Sequence, residues 1–223
     1  MKRTAAAILV LVFLAGVVSH TRADSAADEL ARGLQKKYDT IKDFSADFVH
    51  QYQSGVLRKQ QTERGRLLVR KPGQMRWESE APQRSIVVSD GKNVYVYIPD
   101  DKQVTVSAVP PDDEAATPAL FLAGKGSLIR DFTVSQAMPA SEMPADTLAL
   151  KLVPKKSQPD YDWLVIEFEP GTYRLRGLMT TDAQGGLSSF SFTNLKENLG
   201  LADKEFVFKP PRGVDIVTDT PRR

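Results

Sequence analysis

The segment GRLLVRKPGQMRWESEAP, Gly65 to Pro82, decides the fold class. Leu67, Leu68 and Val69 form a short apolar run, while Met75 and Trp77 alternate with Arg76 and Glu78, the period-two pattern of an extended strand. Between the two runs stands KPGQ, Lys71 to Gln74. Proline presets φ and glycine accepts a positive φ, so the chain reverses within a few residues and the runs pair as neighbours. The same unit recurs on either side: DGKN, Asp90 to Asn93, joins SIVVS to VYVYI, and QGG, Gln184 to Gly186, joins RLRGLMT to LSSFSF. A first strand is expected from Phe44 onward, and others at Gln103 to Ala108, Thr147 to Val153, Asp162 to Phe168 and Glu205 to Phe208. The chain therefore reads as mainly β, with about ten or eleven antiparallel strands joined largely as a meander.

Two stretches break this rhythm. Between Ser25 and Lys42 the residues Ala27, Leu30, Ala31, Leu34, Tyr38 and Ile41 recur at spacings of three and four, which predicts one amphipathic helix capped by Asp24 or Ser25. TPALFLAGKGSLIRDF, Thr117 to Phe132, opens with a threonine cap and Pro118 at the first helical position, then is interrupted by Gly124 and Gly126. It predicts two short helices with a glycine hinge, carried off the sheet by the Pro-rich and acidic loop Val109 to Ala116. A second loose connection is expected at Pro139 to Asp146.

The leading residues define the compartment. Lys2 and Arg3, the apolar run Ala5 to Val18 and the polar stretch ending Thr21-Arg22-Ala23 predict a secretory signal peptide over residues 1–23, too short to span a bilayer as a helix of roughly 20 residues. Cleavage after Ala23 leaves roughly 200 residues, 24–223, enough for one domain with a substantial core. No acidic residue precedes Asp24, so the formal charge of +2 falls to near neutrality once Lys2, Arg3 and Arg22 leave, and nucleic-acid binding loses its electrostatic basis. There is no cysteine, hence no disulfide, no thiol nucleophile and no lipidation site at the junction. Of the two histidines only His50 stays with the mature chain, and VHQYQS reads as a solvated setting for it. No GxSxG, HExxH or Walker motif occurs, and the acids Asp100/Asp101 and Asp112/Asp113/Glu114 lack the spacing and glycine of a calcium loop. Neither enzyme activity, metal nor cofactor is implied.

Several strands are apolar on both faces. In VYVYI, Val94, Val96 and Ile98 point one way and Tyr95 and Tyr97 the other; in DWLVIEF both alternations are apolar. Two readings fit: an ordinary sandwich or barrel core, or a strongly curved sheet whose few helices roof an apolar cavity.

The segments IKDFSADFVHQ, GRLLVRKPGQMRWESEAP, IVVSDGKNVYVYIPDDKQVTV, TPALFLAG and FVFKPPRGVDIV are similar, in order and spacing, to the periplasmic outer-membrane lipoprotein carrier family, LolA. The resemblance covers most of the chain after Ala23. It implies an incomplete, half-open antiparallel β-barrel under short lid helices, and a carrier that accepts triacylated lipoproteins from an inner-membrane ABC-type release complex and hands them to an outer-membrane lipoprotein receptor. Such a carrier is expected to work as a monomer. The alternative is a periplasmic lipid-binding or envelope-stress-sensing module of similar fold. A carrier is needed because a cargo with on the order of 40 methylenes, at about 0.8 kcal/mol each, faces roughly 30 kcal/mol on entering water. The same arithmetic demands a pocket that is not filled too well, or the cargo would never leave.

On this resemblance the lipid cavity is lined by Leu67, Val69, Met75, Trp77, Ile86, Val88, Leu120, Phe121 and Leu122. In the family an arginine immediately before the turn proline holds the lid by bonding to backbone carbonyls of the Thr-Pro helix. Here that position is Lys71, preceded by Arg70, and the carry-over aims Lys71 at the carbonyls of Leu122 and Ala123. Lysine donates as a point charge rather than a planar fork, so the latch is expected to be weaker or arranged differently; the other reading is a lysine solvated beside a turn.

Overall fold

The computed structural model describes residues 19–109, 118–138, 144–158 and 161–218, with the backbone alone for residues 19–25, 118 and 120. Helix α1 (Ser19–Thr40) precedes six strands: β1 (Asp43–Gln53), β2 (Gln60–Arg70), β3 (Gln74–Ala81), β4 (Ser85–Asp90), β5 (Asn93–Ile98) and β6 (Gln103–Ala108). Two short helices, α2 (Pro118–Leu122) and α3 (Leu128–Asp131), lead into β7 (Phe132–Gln136), β8 (Leu148–Pro154), β9 (Leu164–Phe168), β10 (Leu175–Thr181) and β11 (Leu187–Glu197). A 3-10 turn at Asp203–Phe206 and β12 (Asp215–Thr218) follow.

All 12 strands among the described residues form one sheet in the order β12-β6-β5-β4-β3-β2-β1-β11-β10-β9-β8-β7. The outer strands β12 and β7 do not pair, so the barrel stays open, as the resemblance implies. Its curvature has identifiable sources: the register shifts opposite Ser45/Asp47, opposite Arg64/Gly65 and at Leu175/Gly177 are bulges in β11, β3 and β10 respectively, which bend and coil a strand. At Gly65 the chains approach so closely that a Cβ would collide with the backbone of Glu78, which is why the residue there has no side chain.

Most expected elements form, and the three turns at KPGQ, DGKN and QGG join the strand pairs predicted for them. Four features differ. Helix α1 starts at Ser19, so Asp24 and Ser25, expected to cap it, lie inside it. Glu205 to Phe208 is not a strand: Asp203–Phe206 is a 3-10 turn that drives Phe206 to full burial. Phe132–Gln136 is an edge strand that the preceding helical pattern concealed. Asp215–Thr218 pairs with β6 in parallel, the one parallel pairing among the described residues. The threonine cap expected at Thr117 and all but residues 19–23 of the expected signal peptide lie outside the described residues; the backbone of residues 19–23 is helical and continuous with α1.

Register assigns the two faces. Met75 and Trp77 of β3 sit opposite Val69 and Leu67 of β2 and opposite Ser89 and Val87 of β4, so these side chains share the concave face. Arg76 sits opposite Leu68 and Val88, which share the reverse face with Tyr95 and Tyr97. Helix α1 lies against β7 and α3, with Ala27 and Ala31 fully buried one turn apart and Leu34 following; two methyls in succession let the helix approach closely.

The reverse face has its own cover. The Asp43 carboxylate accepts hydrogen bonds from the backbone N–H groups of Leu199 (2.6 Å) and Gly200 (3.0 Å), and Arg70 Nη1 donates to the Leu201 carbonyl at 3.0 Å. Strapped down in this way, the segment seats Phe206 beneath the Arg70 guanidinium, 5.3 Å from its ring centroid, and brings Phe208 against Tyr95 and Tyr97. Polar bonds fix the strap's path, and burial of Phe206 supplies the apolar gain, about 1.5–3 kcal/mol for a side chain of this size.

Candidate functional site

The concave face carries an apolar cavity of about 360 Å³. Its wall is built from Phe48 of β1, Met75 and Trp77 of β3, Val87 of β4, Leu178 of β10 and Phe190 of β11, with Ala119 of α2 above. Alternation puts these aromatics on one face of the sheet, and they meet across the strands between them: Phe48 packs edge-on against Trp77 at 5.1 Å, and Trp77 against Phe190 at 5.6 Å. The Trp77 Nε1 is buried among these rings with no hydrogen-bond acceptor among the described residues.

One end of the cavity is polar. His50, Glu63, Ser79, Ser85, Thr180 and Ser188 complete its lining. His50 stacks flat on Phe190 (4.1 Å, 3°), with Nδ1 3.6 Å from Glu63 Oε2 and Nε2 3.3 Å from Ser188 Oγ. Burial pulls its pKa below the ordinary value, and the Glu63 carboxylate opposes that shift only in part. The expected solvated histidine is thus a half-buried wall residue; its signal in the sequence was the alternation of Phe48 and His50 on one face of β1.

At the opposite end the lid is tied to the sheet and to α1. Gly73 N–H, in the KPG turn, donates to the Ala123 carbonyl at 2.7 Å. The Tyr38 hydroxyl of α1 shares its hydrogen between the carbonyls of Phe121 (2.7 Å) and Leu122 (2.5 Å), and the Tyr38 and Phe121 rings stack at 5.9 Å. Burial pushes the Tyr38 pKa far above the ordinary phenol value, which keeps the hydroxyl a donor. Lys71 does not reach the lid carbonyls. Its stem runs beneath Gly124, where a Cβ would stand 2.7 Å from Lys71 Cδ, and its ammonium donates to the Tyr38 carbonyl while lying 3.2 Å from the Tyr38 ring centroid. The carbonyls named for the latch are held, but by Tyr38 and Gly73; Lys71 acts one step back, on Tyr38.

The other expected lining residues separate into four groups. Met75 and Trp77 line the cavity. Leu67 and Val69 lie on the same face but are fully buried beneath it, as floor rather than wall. Phe121 and Leu122 line a second, smaller void of about 40 Å³ with Leu34, Tyr38 and Leu195. Ile86 and Val88 require correction: register sets them on the reverse face, opposite Tyr97 and Tyr95, and Val87 takes the cavity position. Both alternations of IVVS are apolar because both faces of this strand are covered, so composition could not choose between them. The side chain of Leu120 lies outside the described residues. The sequence reading missed Phe48, Val87, Ala119, Leu178, Phe190 and Tyr38.

Residues 39–209 match the family model described as outer membrane lipoprotein carrier protein LolA. A protein of Chromohalobacter salexigens named outer-membrane lipoprotein carrier protein is 32% identical over 191 residues, covering 85% of this chain and 87% of the relative. One of the same name from Legionella pneumophila is 31% identical over 214 residues, covering 94% and 96%. Among solved structures, an uncharacterized conserved protein from Thermus thermophilus superposes with a TM-score of 0.54 at 11% identity, over 87% of this chain and 99% of that one, which shows a shared fold.

Proposed function

Because the chain belongs to the outer membrane lipoprotein carrier family, we propose that its 360 Å³ cavity receives the acyl chains of a lipoprotein and that α2 is the lid which opens to admit them. The protein is a lipoprotein carrier, and its family serves outer-membrane biogenesis from the periplasm. Everything the cavity has to do follows from hydrocarbon solubility. Acyl chains leave one membrane only for surroundings that cost far less than water, and they leave the carrier only if those surroundings are not the best available.

The observation that carries this reading is an unfilled, aromatic-walled cavity under a lid tied down by few bonds. A volume of about 360 Å³ lies near the lower end of the roughly 300–1,000 Å³ of sites for drug-sized ligands. A triacylated cargo of on the order of 40 methylenes is larger than such a ligand, so the closed lid describes the unloaded state and loading parts α2 from the sheet. Met75, unbranched and polarizable, suits a wall that must adapt to chains of different position. The ties that yield on opening are those of Tyr38 and Gly73 to the lid carbonyls, with Lys71 steadying Tyr38. Ligand binding and lid opening are then one equilibrium, in which cargo is bound more tightly by the open form.

The route follows from the same reading: export directed by residues 1–23, loading at an inner-membrane ABC-type release complex, and unloading at an outer-membrane lipoprotein receptor. No chemical step on the cargo is needed. The test is titration with a fluorescent triacylated lipopeptide, followed by native mass spectrometry of the complex. One lipopeptide per chain, displaced by unlabelled lipopeptide and not by the delipidated peptide, is the expected result; a protein that takes up no lipopeptide overturns the reading.

A further inference from the structure

Val56 and Leu57, in the turn between β1 and β2, are the most exposed large hydrophobic side chains among the described residues, at 78% and 69%. The turn that presents them is built. Ser54 N–H donates to the Lys59 carbonyl at 3.0 Å, Arg58 N–H to the Ser54 carbonyl at 3.1 Å, and Leu57 N–H to Ser54 Oγ at 3.3 Å. Gly55 packs on the backbone of Gln184 and Gly185, so the β10–β11 turn braces it from one side. On the other side the hairpin stands clear, since β3 first pairs with β2 at Arg64 and residues 60–63 pair with β1 alone.

The unpaired charges beside the apolar pair are of one sign. Arg58 and Lys59, the next two residues, are exposed and without an ion-pair partner among the described residues. The nearby carboxylates are engaged within the chain: Asp182 accepts from Tyr52 Oη (2.8 Å) and from the N–H groups of Gln184 and Gly186, and Glu63 lies beside His50. Glu63 and His50 line the polar end of the cavity, and Glu63 is three residues from the start of β2, roughly 10 Å along a strand. The tip therefore stands at the polar end, opposite the lid ties.

Two adjacent apolar side chains are too few for a stable protein interface, which needs about 800 Å² on each partner. They suit a bilayer surface, where apolar side chains enter the boundary region and neighbouring cations meet anionic headgroups. We propose that the Ser54–Lys59 tip is a membrane-docking element, inserting Val56 and Leu57 into an anionic phospholipid surface with Arg58 and Lys59 against the headgroups, so that the polar end of the cavity is held at the bilayer. The contact is weak and reversible, as a shuttling protein requires. Its purpose rests on the carrier reading; its existence does not.

The test uses protein purified after export, without cargo, and vesicles of phosphatidylethanolamine containing about a quarter phosphatidylglycerol, with phosphatidylcholine vesicles as the neutral comparison. Partition onto the anionic vesicles should exceed that onto neutral ones by about tenfold and fall with added salt. Leu57→Asp should lower it by about tenfold or more, and Arg58→Asn with Lys59→Gln by roughly tenfold together. Leu57→Trp should show a blue-shifted emission on anionic vesicles only. Lipopeptide binding in vesicle-free solution separates the two readings, and Leu57→Asp should bind as the unaltered protein does. Docking is overturned if the unaltered protein does not prefer anionic vesicles, if the tip variants partition unchanged, or if they lose lipopeptide in solution. If no form binds lipopeptide while the vesicle results hold, the carrier reading fails and docking stands.

Discussion

The concave face is covered twice, and the two covers fill it to different degrees. Under α1, Ala27, Ala31 and Leu34 press onto the sheet near β7, and the void that Leu34 lines with Phe121, Leu122 and Leu195 is only about 40 Å³. Under α2, a five-residue helix whose contribution above the cavity among the described side chains is Ala119, about 360 Å³ stays open. Both halves have floors of comparable chemistry, leucine, valine and phenylalanine on alternating positions. What differs is the size of the roof: one long helix with a continuous apolar stripe, against one short helix ending at a glycine hinge. Among the described residues, the cavity follows the smaller roof rather than any unusual residue in the sheet.

That contrast predicts the largest effects in the packed half. Phe168 is fully buried there, against Tyr173. Phe168→Ala should cost about 3–5 kcal/mol in urea-induced unfolding, since a tight site cannot collapse onto the space left behind. Phe190→Ala, on the wall of a cavity that exists already, should cost less than half as much; equal costs would abolish the distinction between the halves. The second effect belongs to cargo. Met75→Glu sets a carboxylate where hydrocarbon should lie and should weaken lipopeptide binding by about 30-fold, roughly 2 kcal/mol, with the fold retained. Unchanged affinity would remove Met75 from the binding surface.

The parts of the molecule that the sequence revealed are those where one local rule acts alone. The turns at Lys71–Gln74, Asp90–Asn93 and Gln184–Gly186 needed only the conformational preferences of proline, glycine and asparagine, and they fixed the meander. Met75 and Trp77 were legible because Arg76 and Glu78 mark the other face. Where both faces are buried the alternation carries no sign, which is how Ile86 and Val88 were put in place of Val87. Phe206 looked like a strand residue because the strap's path is set by distant partners, Asp43 and Arg70, that no local pattern announces. Tyr38 was recognised as a helix-face residue, yet its bond to lid carbonyls more than 80 positions away depends on tertiary approach alone.

Tyr38 sharpens the comparison, because it belongs to the well-packed cover and restrains the loose one. Tyr38→Phe keeps the ring stacked on Phe121 and removes the donor from two buried carbonyls, which should shift the lid toward the open form by about 1–2 kcal/mol. The chain has no cysteine, so spin labels at Ala119→Cys and Val87→Cys can report the distance between lid and sheet directly. The variant should lengthen it in the absence of cargo. If the distance is unchanged, packing of Phe121 and the Gly73 bond hold the lid unaided.

The smallest effect concerns pH and follows from Lys71. Burial between the KPG turn, Gly124 and Tyr38 pulls its pKa down to about 8, against an ordinary 10.5, while Asp39 opposes the shift. A lysine whose pKa is lower in the closed form binds protons more readily once the lid is open, so protonation favours opening. Below about pH 8 both forms are charged and closure bears the full cost of burying the ammonium; between about pH 8 and 10.5 that cost lifts and the closed form gains. Lys71 is part exposed, so solvent screening reduces the gain to the order of 1 kcal/mol. The label distance should therefore shorten as pH rises through this window, and Lys71→Leu, which carries no proton, should flatten the response. A distance that lengthens with pH would mean that the ammonium on the Tyr38 ring is a net attraction in the closed form, and that charge, rather than burial, governs the tie between the two covers.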